Sequence, residues 1–313
     1  MESNASVINT SPTFRLRENN IYLGDSLSLI TKVEGESVHL ILSDIPYGIG
    51  TDDWDVLHNN TNSAYLGSSP AQKTAGAVFK KRGKPINGWS EADRDIPKQY
   101  QEWCSQWAPE WYRVLKPSAS VFIFAGRRLA HRCICAMEDA GFSLKDCLAW
   151  IRTQAPHRAQ RLSAIYSRRG DHTSEENWGG WRVGNLRPNY EPVLWFTKPY
   201  KIGTTIADNV LKHEVGGYNE EAYLKYVDEP ENIIRCGLDK GKEGGFHPTQ
   251  KPVFLMQALI ELTTQEDQLV LDPFAGSGST LVAAKQLGRR YLGFEATSEY
   301  VEACKNRLAS ILC

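Results

Sequence analysis

Short apolar runs alternate along the chain with polar stretches that carry glycine or proline, in the rhythm of alternating strands and helices. Asn20–Leu23, Val38–Ser43, Ser120–Phe124, Leu148–Arg152 and Val193–Thr197 are apolar or β-branched and of strand length. Pro97–Leu115 and Arg127–Ala140 have a helical period, and Trp103, Trp107 and Trp111 recur at four-residue spacing, which predicts a core-facing stripe. The last segment is the most sharply patterned. Gln268–Asp272 predicts a buried strand, Pro273–Gly278 a tight turn and Ser279–Leu287 a helix stopped by Gly288; Arg290–Glu295 is a second strand, followed by a helix through Tyr300, Cys304 and Leu308. Strand, glycine turn, helix and strand form the opening unit of a nucleotide-binding α/β sheet. Here that unit comes last, so its companion strands must be the earlier ones. The pattern predicts one doubly wound α/β sheet with its cofactor half moved to the C-terminus.

Two stretches break the rhythm. Residues 51–96 are rich in Gly, Ser, Asn and Lys, and residues 199–245 are polar with glycines at 203, 216, 217, 241 and 244; both are too long for ordinary connections and read as lids or recognition loops. Residues 1–14 read as a loose polar arm without the basic start and apolar centre of a secretory signal, leaving 15–313 as one domain. Charge changes the picture further. With 36 Lys and Arg against 37 Asp and Glu, the surface is not uniformly basic, so any nucleic-acid site must be a local patch. About 152–190 is the best candidate: seven arginines (152, 158, 161, 168, 169, 182 and 187) face three acids (Asp171, Glu175 and Glu176), with Trp178 and Trp181 interleaved. Lys80, Lys81, Arg82 and Lys84 form a second basic run. No apolar run is of bilayer length. Seven cysteines without a C-x-x-C pair read as reduced thiols, and His131, His157, His172 and His213 share no ligand spacing, so no metal is expected. A cytoplasmic, nucleoid-associated protein is the expectation.

Two strands end in chemistry. Asp272-Pro-Phe-Ala-Gly-Ser-Gly278 lies at the carboxyl end of the penultimate strand, where open α/β sheets bind ligands. Gly276 and Gly278 admit close backbone approach, and Glu295, seventeen residues beyond Gly278, ends the next strand where an acid can hold ribose hydroxyls. The third glycine of a dinucleotide fingerprint is replaced by Leu281, which argues against a pyrophosphate-bearing cofactor. Asp44-Ile-Pro-Tyr47 closes Val38–Ser43. A carboxylate beside a fixed-φ proline and a flat ring can accept the N–H groups of a planar base and stack on it.

Asp44-Ile-Pro-Tyr47 resembles the D-P-P-Y motif of amino-group DNA methyltransferases, Asp272–Gly278 resembles their S-adenosylmethionine loop, and His247-Pro-Thr-Gln-Lys-Pro252 is similar to the H-P-T-x-K-P segment that precedes that loop. With the catalytic motif first, the order is that of the β-type permutation. The resemblance implies a circularly permuted class I methyltransferase, a Rossmann-like α/β fold with inserted DNA-recognition loops. It implies a pocket for S-adenosylmethionine shaped by Asp272, Phe274, Gly276, Ser277 and Gly278, with Glu295 on the ribose and Asp25 near the adenine, where Asp25 also has a plain capping reading. His247, Thr249 and Lys251 would line the methionine end.

The catalytic set implied is Asp44, Ile45, Pro46 and Tyr47: the Asp44 carboxylate and the Ile45 carbonyl accept the two hydrogens of an exocyclic amine, and the flipped base stacks on Tyr47. Ile45 departs from the family's proline, which leaves the acceptor in place but removes a restraint on φ and adds an N–H. Aspartate at this position accompanies adenine-N6 methylation in the family, and serine cytosine-N4. The expected function is site-specific methylation of adenine N6 in double-stranded DNA. Phosphate and base contacts would come from Lys80, Lys81, Arg82, Arg152, Arg158, Arg161, Arg168 and Arg169. Alternatives are cytosine-N4 methylation, an RNA or protein amine methyltransferase, and a non-catalytic nucleotide-binding regulator. Cytosine-C5 chemistry is set aside, since it uses a thiolate usually found in a Pro-Cys pair and no proline here precedes a cysteine. The resemblance admits a homodimer and a cognate restriction endonuclease as partners and requires no membrane.

Overall fold

The computed structural model describes residues 16–48, 91–152, 159–200, 202–237 and 250–311, with side chains from residue 95 in the second stretch. The polar arm, nearly all of the 51–96 stretch, and residues 153–158 and 238–249 lie outside the described residues.

In chain order the elements are β1 (Asn20–Leu23), α1 (Ser26–Ile30), β2 (Val38–Asp44), α2 (Glu91–Val114), β3 (Leu115–Phe124), α3 (Ala130–Asp139) and β4 (Ser143–Arg152). They continue with β5 (Gln160–Arg161), α4 (Leu162–Ser167), α5 (His172–Asn177), β6 (Arg182–Val183), β7 (Tyr190–Thr197), α6 (Ile206–His213), α7 (Glu220–Tyr223) and β8 (Ile233–Cys236). The chain closes with α8 (Val253–Thr263), β9 (Leu269–Asp272), α9 (Ser279–Gln286), β10 (Arg290–Glu295) and α10 (Ser298–Ala309).

Eight strands form one sheet in the order β1-β10-β9-β2-β3-β7-β4-β8. All of its pairings are parallel except those that β7 makes with β3 and β4. The permutation is visible in register, as the first strand lies parallel to the last with Ile21 opposite Gly293 and Leu23 opposite Glu295. Both faces are covered, which is why β2 (Val-His-Leu-Ile-Leu-Ser) is buried at every residue up to Asp44. Leu40 and Leu42 face one core with α8 and α9, while Ile41 faces the other with α1, α2 and α3. From β9 the chain winds outward through α9 to β10, whereas from neighbouring β2 it winds the other way through α2 to β3. That reversal is a topological switch point, and ligands bind outside the carboxyl ends of the strands there.

The tryptophan stripe is core as expected, with Trp107 and Trp111 buried on α2. Two expectations change. The 199–245 stretch, read as a long connection, contains α6, α7 and β8, and β8 joins the sheet edge beside β4. Helix α2 begins at Glu91, inside the 51–96 stretch. Residues 159–187 fold back on themselves as α4 and α5 between a two-stranded pair, β5 with β6; neither helix has a buried residue.

Candidate active site

The carboxyl ends of β9, β2 and β10 open on a cleft of about 230 Å³, many times the ~10–15 Å³ that holds one water, and so sized for an organic ligand. Gly24–Ser26, Asp44–Tyr47, Gln250, Lys251, Asp272–Ser277 and Phe294–Thr297 line it, with Trp103 and Tyr300 at its sides.

Strand β2, held in the core along its length, delivers Asp44 to this cleft. Lys251 Nζ donates to Asp44 Oδ2 at 2.5 Å, while Asp44 Oδ1 is buried with no hydrogen-bond partner. Burial pushes the Asp44 carboxyl above the usual carboxylate range, and Lys251 pulls it part of the way back. Ile45 is buried, and Tyr100 Oη donates to the Pro46 carbonyl at 3.0 Å. The turn that lacks a second proline is therefore fixed by packing and by this bond. Tyr47 Oη donates to Glu191 Oε2 at 3.2 Å, and Arg152 Nη1 donates to Glu191 Oε1 at 2.6 Å. Burial, with Asp44 and Glu191 nearby, holds the Tyr47 hydroxyl well above its ordinary value, so it stays neutral and donates. Gly126 backs the ring so closely that an added Cβ would sit 3.0 Å from Tyr47 Cβ.

On the other wall, Asp272 Oδ1 accepts from Ser43 Oγ at 2.7 Å and from the Phe274 N–H at 3.1 Å; burial pushes its carboxyl up to about 7. The turn after it needs left-handed backbone at Gly276 (φ 52°) and Gly278 (φ 82°). Glu295 is oriented by two backbone donors, Gly276 N–H to Oε2 at 2.9 Å and Thr297 N–H to Oε1 at 2.8 Å. Each oxygen keeps a lone pair for a ligand hydroxyl. Arg307 Nη1 donates to the Ser277 carbonyl at 2.7 Å, and Phe274 packs on Trp103 with centroids 5.6 Å apart. Asp25 caps α1, accepting from the Ser28 N–H at 3.0 Å, and also lines the cleft.

Glycine turn, oriented acid and aromatic wall suit the methyl donor that the sequence resemblance implies. Of the residues expected to hold it, Asp25, Lys251, Asp272, Phe274, Gly276, Ser277 and Glu295 line the cleft. Gly278 stands behind it, packed against Cys304, and His247 and Thr249 lie outside the described residues. The Lys251 ammonium sits on Asp44 within this same cleft. Arg152 is paired with Glu191 while about a third of its side chain, 35%, stays exposed. Arg161, Arg168 and Arg169 are exposed; Lys80, Lys81, Arg82 and Arg158 lie outside the described residues. Sequence reading missed Glu191 and Gly126. An acid opening the apolar run of β7 was the signal for the first.

Replacing Glu295 by alanine is expected to weaken binding of S-adenosylmethionine about tenfold or more, the scale of losing hydrogen bonds to a charged group. Unchanged affinity by calorimetry would remove Glu295 from the ribose.

Residues 38–306 match the family described as DNA methylase, N6_N4_Mtase. Type II methyltransferase M.HindIII of Haemophilus influenzae is 52% identical over 293 residues, covering 92% of this chain and 94% of that protein. M2.DpnII of Streptococcus pneumoniae is 26% identical, covering 96% and 94%. Among solved structures, PvuII DNA methyltransferase (cytosine-N4-specific) superposes with a TM-score of 0.61 at 18% identity, covering 96% of this chain and 89% of that one. The M1.HpyAVI-SAM complex gives 0.53 at 21% identity, covering 92% and 98%. These two likenesses concern the fold.

Proposed function

We propose that this chain, which belongs to the N6/N4 DNA methylase family and is an S-adenosylmethionine-dependent DNA methyltransferase, acts on the exocyclic N6 amine of an adenine flipped out of duplex DNA. The observation that carries the reading is a carboxylate, Asp44, set at a strand end in the same cleft as the glycine turn and Glu295, with one oxygen buried and unpartnered. When bound, S-adenosylmethionine supplies an electrophilic methyl group on a sulfonium. The rest belongs to the protein. An exocyclic amine is a poor nucleophile because its lone pair is delocalised into the ring. Asp44 and the Ile45 carbonyl accept its two hydrogens, which localises the lone pair and stabilises the positive charge the nitrogen acquires. Tyr47, anchored by Glu191, offers its face to the base. Glu295 and Asp25 hold the donor's hydroxyl and adenine ends, and Phe274 with Trp103 shields the apolar wall from water.

Aspartate at position 44 supports adenine over cytosine. Treating unmethylated duplex DNA of mixed sequence with enzyme and isotopically labelled donor, then identifying the modified nucleoside by mass spectrometry, tests both levels. N6-methyladenine is expected. N4-methylcytosine would overturn the base assignment, and no labelled nucleoside would overturn the activity.

Duplex DNA would be gripped through the exposed arginines of residues 159–187. Arg168 spends its Nε on the Ala164 carbonyl at 3.0 Å, leaving its terminal nitrogens outward. Replacing Arg168 and Arg169 by alanine is expected to lower DNA affinity and to reduce the slope of log K against log salt by about two, near 0.9 for each phosphate that is no longer neutralised. An unchanged slope would move the DNA elsewhere. The Type II names of the relatives support a cognate restriction endonuclease as partner.

A further inference from the structure

We propose that Lys251 reads the target base directly: it donates to the ring nitrogen beside the exocyclic amine, so that Asp44 and Lys251 together recognise one edge of the base. The inference rests on the amine-methylating reading of this cleft and concerns how the base is chosen.

Lys251 comes from a segment 207 residues away from Asp44, yet its Nζ meets Asp44 Oδ2 at 2.5 Å, and only 4% of its side chain is exposed. Its backbone is pinned at the start of α9, where Ser279 Oγ donates to the Lys251 carbonyl at 2.9 Å. The ammonium lies 5.3 Å from the centroid of Tyr47, 5.4 Å from Phe124 and 5.9 Å from Trp150. Three rings, one just beyond β2 and one each on β3 and β4, thus surround one cation beside one carboxylate. A lysine whose only task was to bind the donor's methionine end would not need this enclosure around the catalytic acid.

The pair is an acceptor next to a donor. Adenine (N6 amine beside N1) and cytosine (N4 amine beside N3) each present the complement, a donor next to an acceptor, on one edge. An ammonium can donate to more than one acceptor, and the unpartnered Asp44 Oδ1 gives the carboxylate an acceptor for the amine while Oδ2 keeps the lysine. Guanine and thymine carry the reverse arrangement, a carbonyl oxygen next to a ring N–H. Against this pair they would set oxygen on carboxylate and N–H on ammonium, a repulsive element of the kind that specificity requires. The contact serves selection and not activation, because drawing electron density toward the ring nitrogen does not make the amine a better nucleophile.

The test is a two-by-two cycle of wild type and Lys251→Met against DNA carrying adenine or 1-deazaadenine at the methylated position, with 3-deazacytosine if mass spectrometry identifies cytosine. 1-Deazaadenine keeps the amine and replaces N1 by C–H. Its intrinsic effects on pairing and amine reactivity are common to both proteins and cancel. Wild type is expected to lose about tenfold or more in kcat/KM on the deaza substrate, the scale of a hydrogen bond to a charged donor, whereas Lys251→Met should lose less than about a third as much. An equal loss in both proteins overturns the inference and leaves Lys251 as a positioning residue for Asp44. If Lys251→Met turns over too slowly to measure, the same cycle is read as equilibrium DNA affinity by fluorescence anisotropy, with the same two outcomes. Failure of wild type to methylate unmodified DNA would instead overturn the functional reading.

Discussion

Asp44→Ala is expected to abolish methyl transfer, with a fall in kcat on the order of 10²–10³-fold or more, while affinity for S-adenosylmethionine stays within about threefold. The separation follows from the proposed arrangement, in which Asp44 serves the base while Glu295, at the end of β10, and Asp25, at the start of α1, would hold the donor from the other side of the cleft. Removing the carboxylate also leaves Lys251 buried without its counter-charge, a cost of about 3–5 kcal/mol in comparable cases. The variant is therefore paired with Asp44→Asn, which keeps the shape, and both are checked by thermal melting and by donor binding in the same preparation. Normal turnover by a folded Asp44→Ala protein would exclude Asp44 from the reaction. The pH profile gives a second reading. Asp44 must be ionised to accept, and burial holds its carboxyl above the usual range against the pull of Lys251. Glu191 and the Tyr47 hydroxyl also face it, and Asp272 lies within electrostatic reach. Activity should thus rise with pH through an acid limb lying above that of an ordinary aspartate, and the limb should move to still higher pH in Lys251→Met, where the pull is gone.

How much of this was legible in the sequence follows from the range of the forces involved. The Asp44 and Asp272 strand ends could be read because strand, turn and glycine are local choices that leave a local pattern. Direction could not: the apolar run of β7 is the same whether it lies parallel or antiparallel to its neighbours. Helix α8 has eight buried residues among eleven and so carries no polar face to announce a helical period. Elements α6, α7 and β8 are only 8, 4 and 4 residues long within a polar, glycine-containing stretch, and read as loop. The site's charge network was least legible, since Lys251 meets Asp44 across 207 residues and Tyr47 meets Glu191 across 144. Lys251 could be placed in the cleft from its motif, while its contact with Asp44 left no local pattern to read.

Gly278→Ala is expected to cost about 2–5 kcal/mol of stability, a large share of the 5–15 kcal/mol typical of a folded protein, and to weaken donor binding with it. Two separate penalties meet at this residue. Its φ of 82° lies in the left-handed region, which costs a residue bearing a Cβ about 1–2 kcal/mol. The added methyl would also lie 2.1 Å from Cys304 Sγ and 3.0 Å from Cys304 Cβ. The sulfur can turn away, but Cys304 is fully buried on α10 and its Cβ moves only with the helix. A displaced α10 pulls on Arg307, which holds the Ser277 carbonyl of the cofactor turn. Gly170→Ala is the matched control, since Gly170 has a φ of 74° with nothing within 4 Å of the added Cβ and should pay the backbone penalty alone. Denaturant unfolding of the two variants isolates the packing part as their difference, and adding Cys304→Ala to Gly278→Ala should recover part of that difference and none of the backbone cost. Equal losses in the two glycine variants would show that α9 and α10 yield freely, and that the close approach at Gly278 is not what holds the turn in shape.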